Sequence, residues 1–248
     1  MTDEIDAGTP IIEEIMENVP TDIPDNNEPQ PTPQPQRPQM PEMNEQEKLV
    51  YQLNQTRQKM YDPTSMKDIE YMLNNKVKVI TYDELANIND INDLLRPYMS
   101  CVILYPNLHN PQTGHWCCIF LSNSGERLEF FDSYGSYIDE KIQDYDNEVD
   151  ELRDVFHKPK KIPTKLLELV YNSPYQNVFF NHVPYQAQKI DTATCGLWCV
   201  MRLKNKHYTE DQFQKIFYDY PISEGFYPDM VLSLIIDELF PEMAPQIM

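Results

Sequence analysis

The residues able to do chemistry concentrate in a few short stretches. "QKIDTATCGLWCV", from Gln188 to Val200, sets Cys195 where a polar loop passes into an apolar helical pattern. A thiol there gains from the helix dipole, which favours thiolate, and Gly196 lets other backbone approach closely. A nucleophilic cysteine needs a base, and the base needs an orienting group. Of the five histidines, His115 in "GHWCCIFL" stands out, because it follows the turn-like "NPQTG" and begins an apolar strand. Asp132 comes seventeen residues later, at the far end of the partner strand. A hairpin turning at Asn123 to Gly125 brings the two opposite each other, so that the carboxylate can fix the ring's tautomer and stabilise its imidazolium. Attack on an amide carbonyl creates an oxyanion, and the Gln188 side-chain amide and the Cys195 N–H are donors for it. Gln186, in the same loop, is a rival to Gln188.

These residues must be held by a folded frame. "VKVITY" and "SCVILYPN" read as strands, and "HWCCIFLS" with "RLEFFDSY" reads as a hairpin. "EQEKLVYQLNQTRQKMY" has helical spacing, and "SMKDIEYMLNN" is a second helix capped by Ser65. "TYDELANINDINDLLRPY" reads as helix, as does a charged stretch from about Asp139 to Phe156. "KIPTKLLELVY" is a short helix and "NVFFNHVPYQ" a strand. Three helices close the chain, the first starting at Cys195 and burying Leu197, Trp198 and Met201. The expected class is α+β, a small and partly antiparallel sheet packed among helices.

The 248 residues suffice for one sizeable core, and the net charge of −20 argues against non-specific nucleic-acid binding and against docking on anionic lipid. Five cysteines in no framework, and no secretory signal at "MTDEIDAGTP", point to a soluble protein in a reducing compartment. The acid is uneven: through Glu47 twelve Asp and Glu stand against Arg37 alone, so −11 lies in this tail and −9 in the rest. Residues 1–45 are expected to form a disordered, Pro-rich tail, with a docking helix possible over Ile11, Ile12, Ile15, Met16 and Val19, and residues 46–248 the folded domain.

"GHWCCIFL", "FFDSYG" and "QKIDTATCGLWCV" resemble the cysteine protease superfamily of the adenovirus maturation protease (adenain) and the SUMO-specific proteases. The likeness is nearer to adenain: His115-Trp116, Asp132 at the same distance downstream, and Gln188 followed after six residues by Cys195-Gly196-Leu197-Trp198-Cys199. That spacing prefers Gln188 to Gln186. Thr194 stands where SUMO proteases usually carry Asp. The resemblance spans about Ser100 to Arg202 and implies an adenain-like fold and a cysteine endopeptidase. It implies cleavage of capsid or core precursors at glycine-containing sites during virion maturation, in the virion and infected cell of a double-stranded DNA virus, virophage or virus-like transposon. It also implies Trp116 beside the substrate groove. A deconjugase for ubiquitin-like modifiers is the alternative enzyme, and an inactive adaptor the alternative of another class. No cofactor, metal or membrane partner is expected. A peptide activator is not legible, and the acidic chain speaks against DNA.

For single residues other readings stand beside these. Asp132 can cap the "SYGSY" turn, and Trp116 can be core. Cys101, Cys117, Cys118 and Cys199 read as buried small hydrophobes, and His109, His157, His182 and His207 as surface. No paired C-x2-C spacing supports zinc among Cys117, Cys118 and a histidine.

Overall fold

The computed structural model describes residues 44, 51, 54–107, 110–122, 125–140, 164–187, 192–218 and 228–243. The acidic tail, its boundary with the domain and most of the 139–156 stretch lie outside them, as do Gln188, His109 and His157.

Five strands form one mixed sheet in sequence order: β1 (Lys78–Thr81), β2 (Ser100–Asn107), β3 (Asn110–Leu121), β4 (Arg127–Asp132) and β5 (Asn177–Phe180). The β2–β3 and β3–β4 pairs are antiparallel, whereas β1 and β5 join the edges in parallel. Both faces of the central strands are covered, so β2 and β3 read as continuous apolar runs. On one face Val102, Leu104, Trp116, Cys118, Phe120 and Phe131 share a core with helices α1 (Met66–Met72), α4 (Cys195–Lys204), α5 (Glu210–Tyr218) and α6 (Pro228–Leu239). On the other, Cys101, Ile103, Tyr105, Cys117, Ile119, Leu128 and Phe130 pack on α2 (Ile91–Leu95), α3 (Lys165–Tyr171) and a 3-10 helix over Tyr82–Asn87.

Ser65 caps α1 in a reciprocal box with Asp68, as its sequence predicts. Three readings are corrected. The stretch after Thr81 is two short helices, because Ile88 turns extended and Asp90 caps a new helix through the Asn92 N–H. "NPQTG" is strand: β3 pairs with β2 from Asn110, so the reversal lies earlier. In α4, Trp198 and Met201 are buried but Leu197 only partly.

Candidate active site

The last β3–β4 pair joins Cys117 to Asp132, and His115 lies two residues further along β3, opposite Tyr105 of β2. The carboxylate therefore faces Cys117 directly and His115 along the diagonal, a correction to the expected pairing. Strand alternation still puts all three side chains on one face. His115 Nε2 meets Asp132 Oδ1 at 2.9 Å, which leaves Nδ1 as the ring nitrogen open to another partner.

That partner comes from α4. Cys195 is its first residue, and the sulfur accepts the Trp116 N–H at 3.5 Å. Its first-turn N–H groups have no intrahelical acceptor and can receive negative charge. The sequence permits the approach at Gly196: a Cβ there would lie 2.7 Å from Thr64 Cβ. Thr64 in turn accepts the Trp116 indole N–H on its carbonyl at 3.0 Å, and Met60 O accepts the Ala193 N–H at 2.7 Å. Segment 60–65 thus ties the start of α4 to β3. His115, Trp116, Tyr134, Gln186, Thr192 and Cys195 line an open cleft of about 440 Å³.

Burial and charge act in opposite directions in the site. Burial disfavours the His115 imidazolium, but Asp132 outweighs it by charge and hydrogen bond. Cys195 adds a hydrogen bond and negative charge, and the ring rises from 6.5 to about 9. Burial likewise pushes Asp132 up, yet His115, the Tyr134 N–H and the Cys117 thiol hold it below its ordinary value. At neutral pH the pair is imidazolium and carboxylate, an arrangement chemically able to donate a proton.

Asp132 is deeply supported. Its Oδ1 also accepts the Tyr134 N–H at 2.7 Å, so one carboxylate oxygen both caps the turn and meets the His115 ring. Its main chain is clasped by Asn181, which accepts the Asp132 N–H at 2.9 Å and donates to its carbonyl at 2.7 Å. The turn needs Gly135, which has φ +73° and leaves room for the His182 carbonyl. Tyr134 stacks on the His115 ring with centroids 4.7 Å apart.

Cys117, read from sequence as a plain hydrophobe, donates to Asp132 Oδ2 at 3.4 Å. Cys101, Cys118 and Cys199 are buried without such a contact to the site, while His182 and His207 are exposed. Sequence reasoning missed Cys117, Tyr134 and Asn181. Alternation from His115 and the Asx-turn habit of Asp132 were signals for the first two. Asn181 had none, since only the fold brings it beside β4.

Gln186 is 2% exposed and fully engaged. It accepts the Ser133 hydroxyl at 2.8 Å and donates to Thr192 O at 2.6 Å and Thr192 Oγ1 at 3.2 Å. Its amide lines the cleft with its nitrogen engaged by Thr192. Trp116 is core and cleft wall at once. Among the described residues, His115, Cys117 and Asp132 could hold a metal ion, their ligand atoms within 4.8 Å of one another. Hydrogen bonds to Asp132 already account for that proximity. Among the described residues no helix is long and apolar enough to cross a membrane.

A thiol at a helix N-terminus, an imidazole and a buried carboxylate thus share the end of one mixed sheet. The chain belongs to the family of the uncharacterized protein V9 of Sputnik virophage, with 33% identity over 168 residues covering 68% of this chain and 90% of that one. No family model matches. Among solved structures, ChlaDub1 of Chlamydia trachomatis is similar at 14% identity, covering 83% of this chain and 81% of that chain with a TM-score of 0.32. The ASFV pS273R protease is similar at 14% identity, covering 67% and 62% with a TM-score of 0.33. The Chlamydia trachomatis effector Cdu1, in a structure bound to ubiquitin, is similar at 15% identity, covering 74% and 84% with a TM-score of 0.33. Superposition this loose assigns no activity, and the functional reading rests on the site itself.

Proposed function

We propose that the chain is a cysteine endopeptidase that cleaves capsid or core precursors at glycine-containing sites during virion maturation, acting in the virion and the infected cell. Cys195 attacks the scissile carbonyl as thiolate. His115 holds the thiol's proton and delivers it to the leaving amine, then activates the water that releases the acyl group. Asp132 keeps the imidazolium oriented through Nε2. The Cys195 N–H and the Gln188 amide receive the oxyanion, and Trp116 walls the groove where only small residues pass.

One observation carries the reading: His115 holds a 2.9 Å bond to buried Asp132 and lines one open cleft with Cys195 at the start of α4. Kinship with a virophage protein supports the viral setting. No cofactor, metal or nucleic acid enters the proposed chemistry.

The test is cleavage of glycine-containing peptides and of capsid precursors from the same virus, with Cys195→Ala as control. A ubiquitin-like modifier conjugate is assayed in parallel. Cleavage of precursor by the wild type alone is expected. Hydrolysis confined to the conjugate would transfer the reading to a deconjugase, and equal activity of Cys195→Ala would end it.

A further inference from the structure

Asp229 lies in the first turn of α6, has no exposed surface, and touches none of the three reacting side chains described above. Its carboxylate nonetheless collects three hydrogen bonds from two segments beside them. Oδ1 accepts the Thr194 hydroxyl at 2.5 Å and the Trp198 indole N–H at 2.7 Å. Oδ2 accepts the Ala187 N–H at 2.7 Å. Thr194 immediately precedes the nucleophile and stands at the N-cap of α4, yet its side chain makes no capping bond to that helix. A threonine at an N-cap ordinarily accepts an N–H of its own first turn. Here the hydroxyl is donated to another helix.

We propose that Asp229 is a positioning residue that clamps the start of α4 to the segment ending at Gln186 and Ala187, and so fixes the Cys195 N–H as an oxyanion donor. The proposal rests on the reading of Cys195 as nucleophile. The two ends of the clamp are Ala187 and Thr194, and the proposed donor, the Cys195 N–H, belongs to the residue that directly follows Thr194. A carboxylate suits this place because it only accepts, and all three neighbours donate. The first turn of α6 supplies a favourable dipole for the buried charge. Burial pushes the carboxyl up, while the bonds from Thr194, Ala187 and Trp198 counter it.

Asp229→Asn separates the two arms. Its carbonyl can still receive Thr194 and Trp198, but the amide nitrogen then faces the Ala187 N–H, donor against donor. Thr194→Val cuts the helix arm, and Thr194→Ser restores it. Three readouts are taken: turnover of a peptide that the wild type cleaves, alkylation of Cys195 by iodoacetamide, and amide exchange at Ala187 by NMR. Alkylation is a displacement that forms no oxyanion, so it reports the thiol without the donors.

In Asp229→Asn, kcat should fall by about 10–100-fold, because misplacement on the scale of 1 Å is costly. KM and the alkylation rate should stay within about threefold, and Ala187 should exchange at least about tenfold faster. Thr194→Val should lose kcat in the same manner and Thr194→Ser keep it. Unchanged Ala187 exchange, or alkylation falling in step with turnover, overturns the clamp. Should the wild type cleave nothing, or Cys195→Ala cleave equally well, the nucleophile reading fails, while Ala187 exchange still decides whether Asp229 holds the loop.

Discussion

Asp132→Asn should convert His115 from a base charged at neutral pH into a neutral one. The substitution keeps shape and keeps an oxygen for the Nε2–H and the Tyr134 N–H, so the fold around β4 should survive. It removes the charge that outweighs burial. The rise of His115 from 6.5 to about 9 corresponds to roughly 3 kcal/mol of preference for the imidazolium. Without Asp132, burial is opposed only by Cys195, and the ring should fall below neutrality. Losing roughly 3 kcal/mol in the transition state amounts to about a hundredfold in kcat/KM at neutral pH. The assay is kcat/KM on a glycine-containing peptide across pH. The wild-type alkaline limb should fall through pH about 9, as the imidazolium is lost, and the variant's limb should move below neutrality. Stability follows the same sign. His115 is raised in the folded state, so its contribution is full below pH 6.5 and lost as pH rises through about 9. Asp132 is lowered, so its contribution is present above 3.8 and lost on acidification. An alkaline limb left near pH 9 in Asp132→Asn would refute this coupling.

Cys195→Ala and His115→Ala should abolish peptide cleavage while leaving a cooperative thermal transition, measured by circular dichroism. Gln188→Ala should lower kcat by about 10²–10³ with Cys195 alkylation largely kept. Gln186→Ala should instead cost about 1–3 kcal/mol in urea unfolding, since it orphans buried partners at Ser133 and Thr192; the reverse pattern would reassign the two glutamines. Arg202→Met should destabilise by about 3 kcal/mol. It removes the buried 2.6 Å bond to Glu129 and a guanidinium lying over the Phe120 and Phe213 rings, while Arg127 still pairs with Glu129. A chain starting near Asn44 should match full-length kcat/KM on a short peptide, because the first ~45 residues hold no catalytic candidate and cannot form a core. Loss of that activity would place the tail in the catalytic fold.

The core strands were legible because β2, β4 and the second half of β3 are apolar runs, and α4 because Cys195-Gly196 opens an apolar helical run. That His115, Asp132 and Cys195 come together was legible through residue type and hairpin arithmetic. The register was not: a hairpin turn read within a residue or two cannot tell a direct pair from a diagonal one, and Cys117 took the direct place. "NPQTG" misled because Pro and Gly usually punctuate, whereas here strand pairing with β2 overrides local preference. The break between the two helices after Thr81 hinged on one cap at Asp90, a feature weaker than the run of helix formers around it. Asn181 and Asp229 were out of reach, since each acts across 31–49 residues of sequence through contacts that only the tertiary fold creates.

The central claim is that Cys195 is acylated through a thiolate held by His115 and Asp132. The most direct measurement is acid-quenched intact mass and peptide mapping of the protein mixed with an activated ester of a glycine-ended peptide. One acyl group on Cys195 is predicted, absent in Cys195→Ala and strongly reduced in His115→Ala. Acylation spread over Cys101, Cys117, Cys118 or Cys199, or equal labelling of Cys195 without His115, would contradict the account.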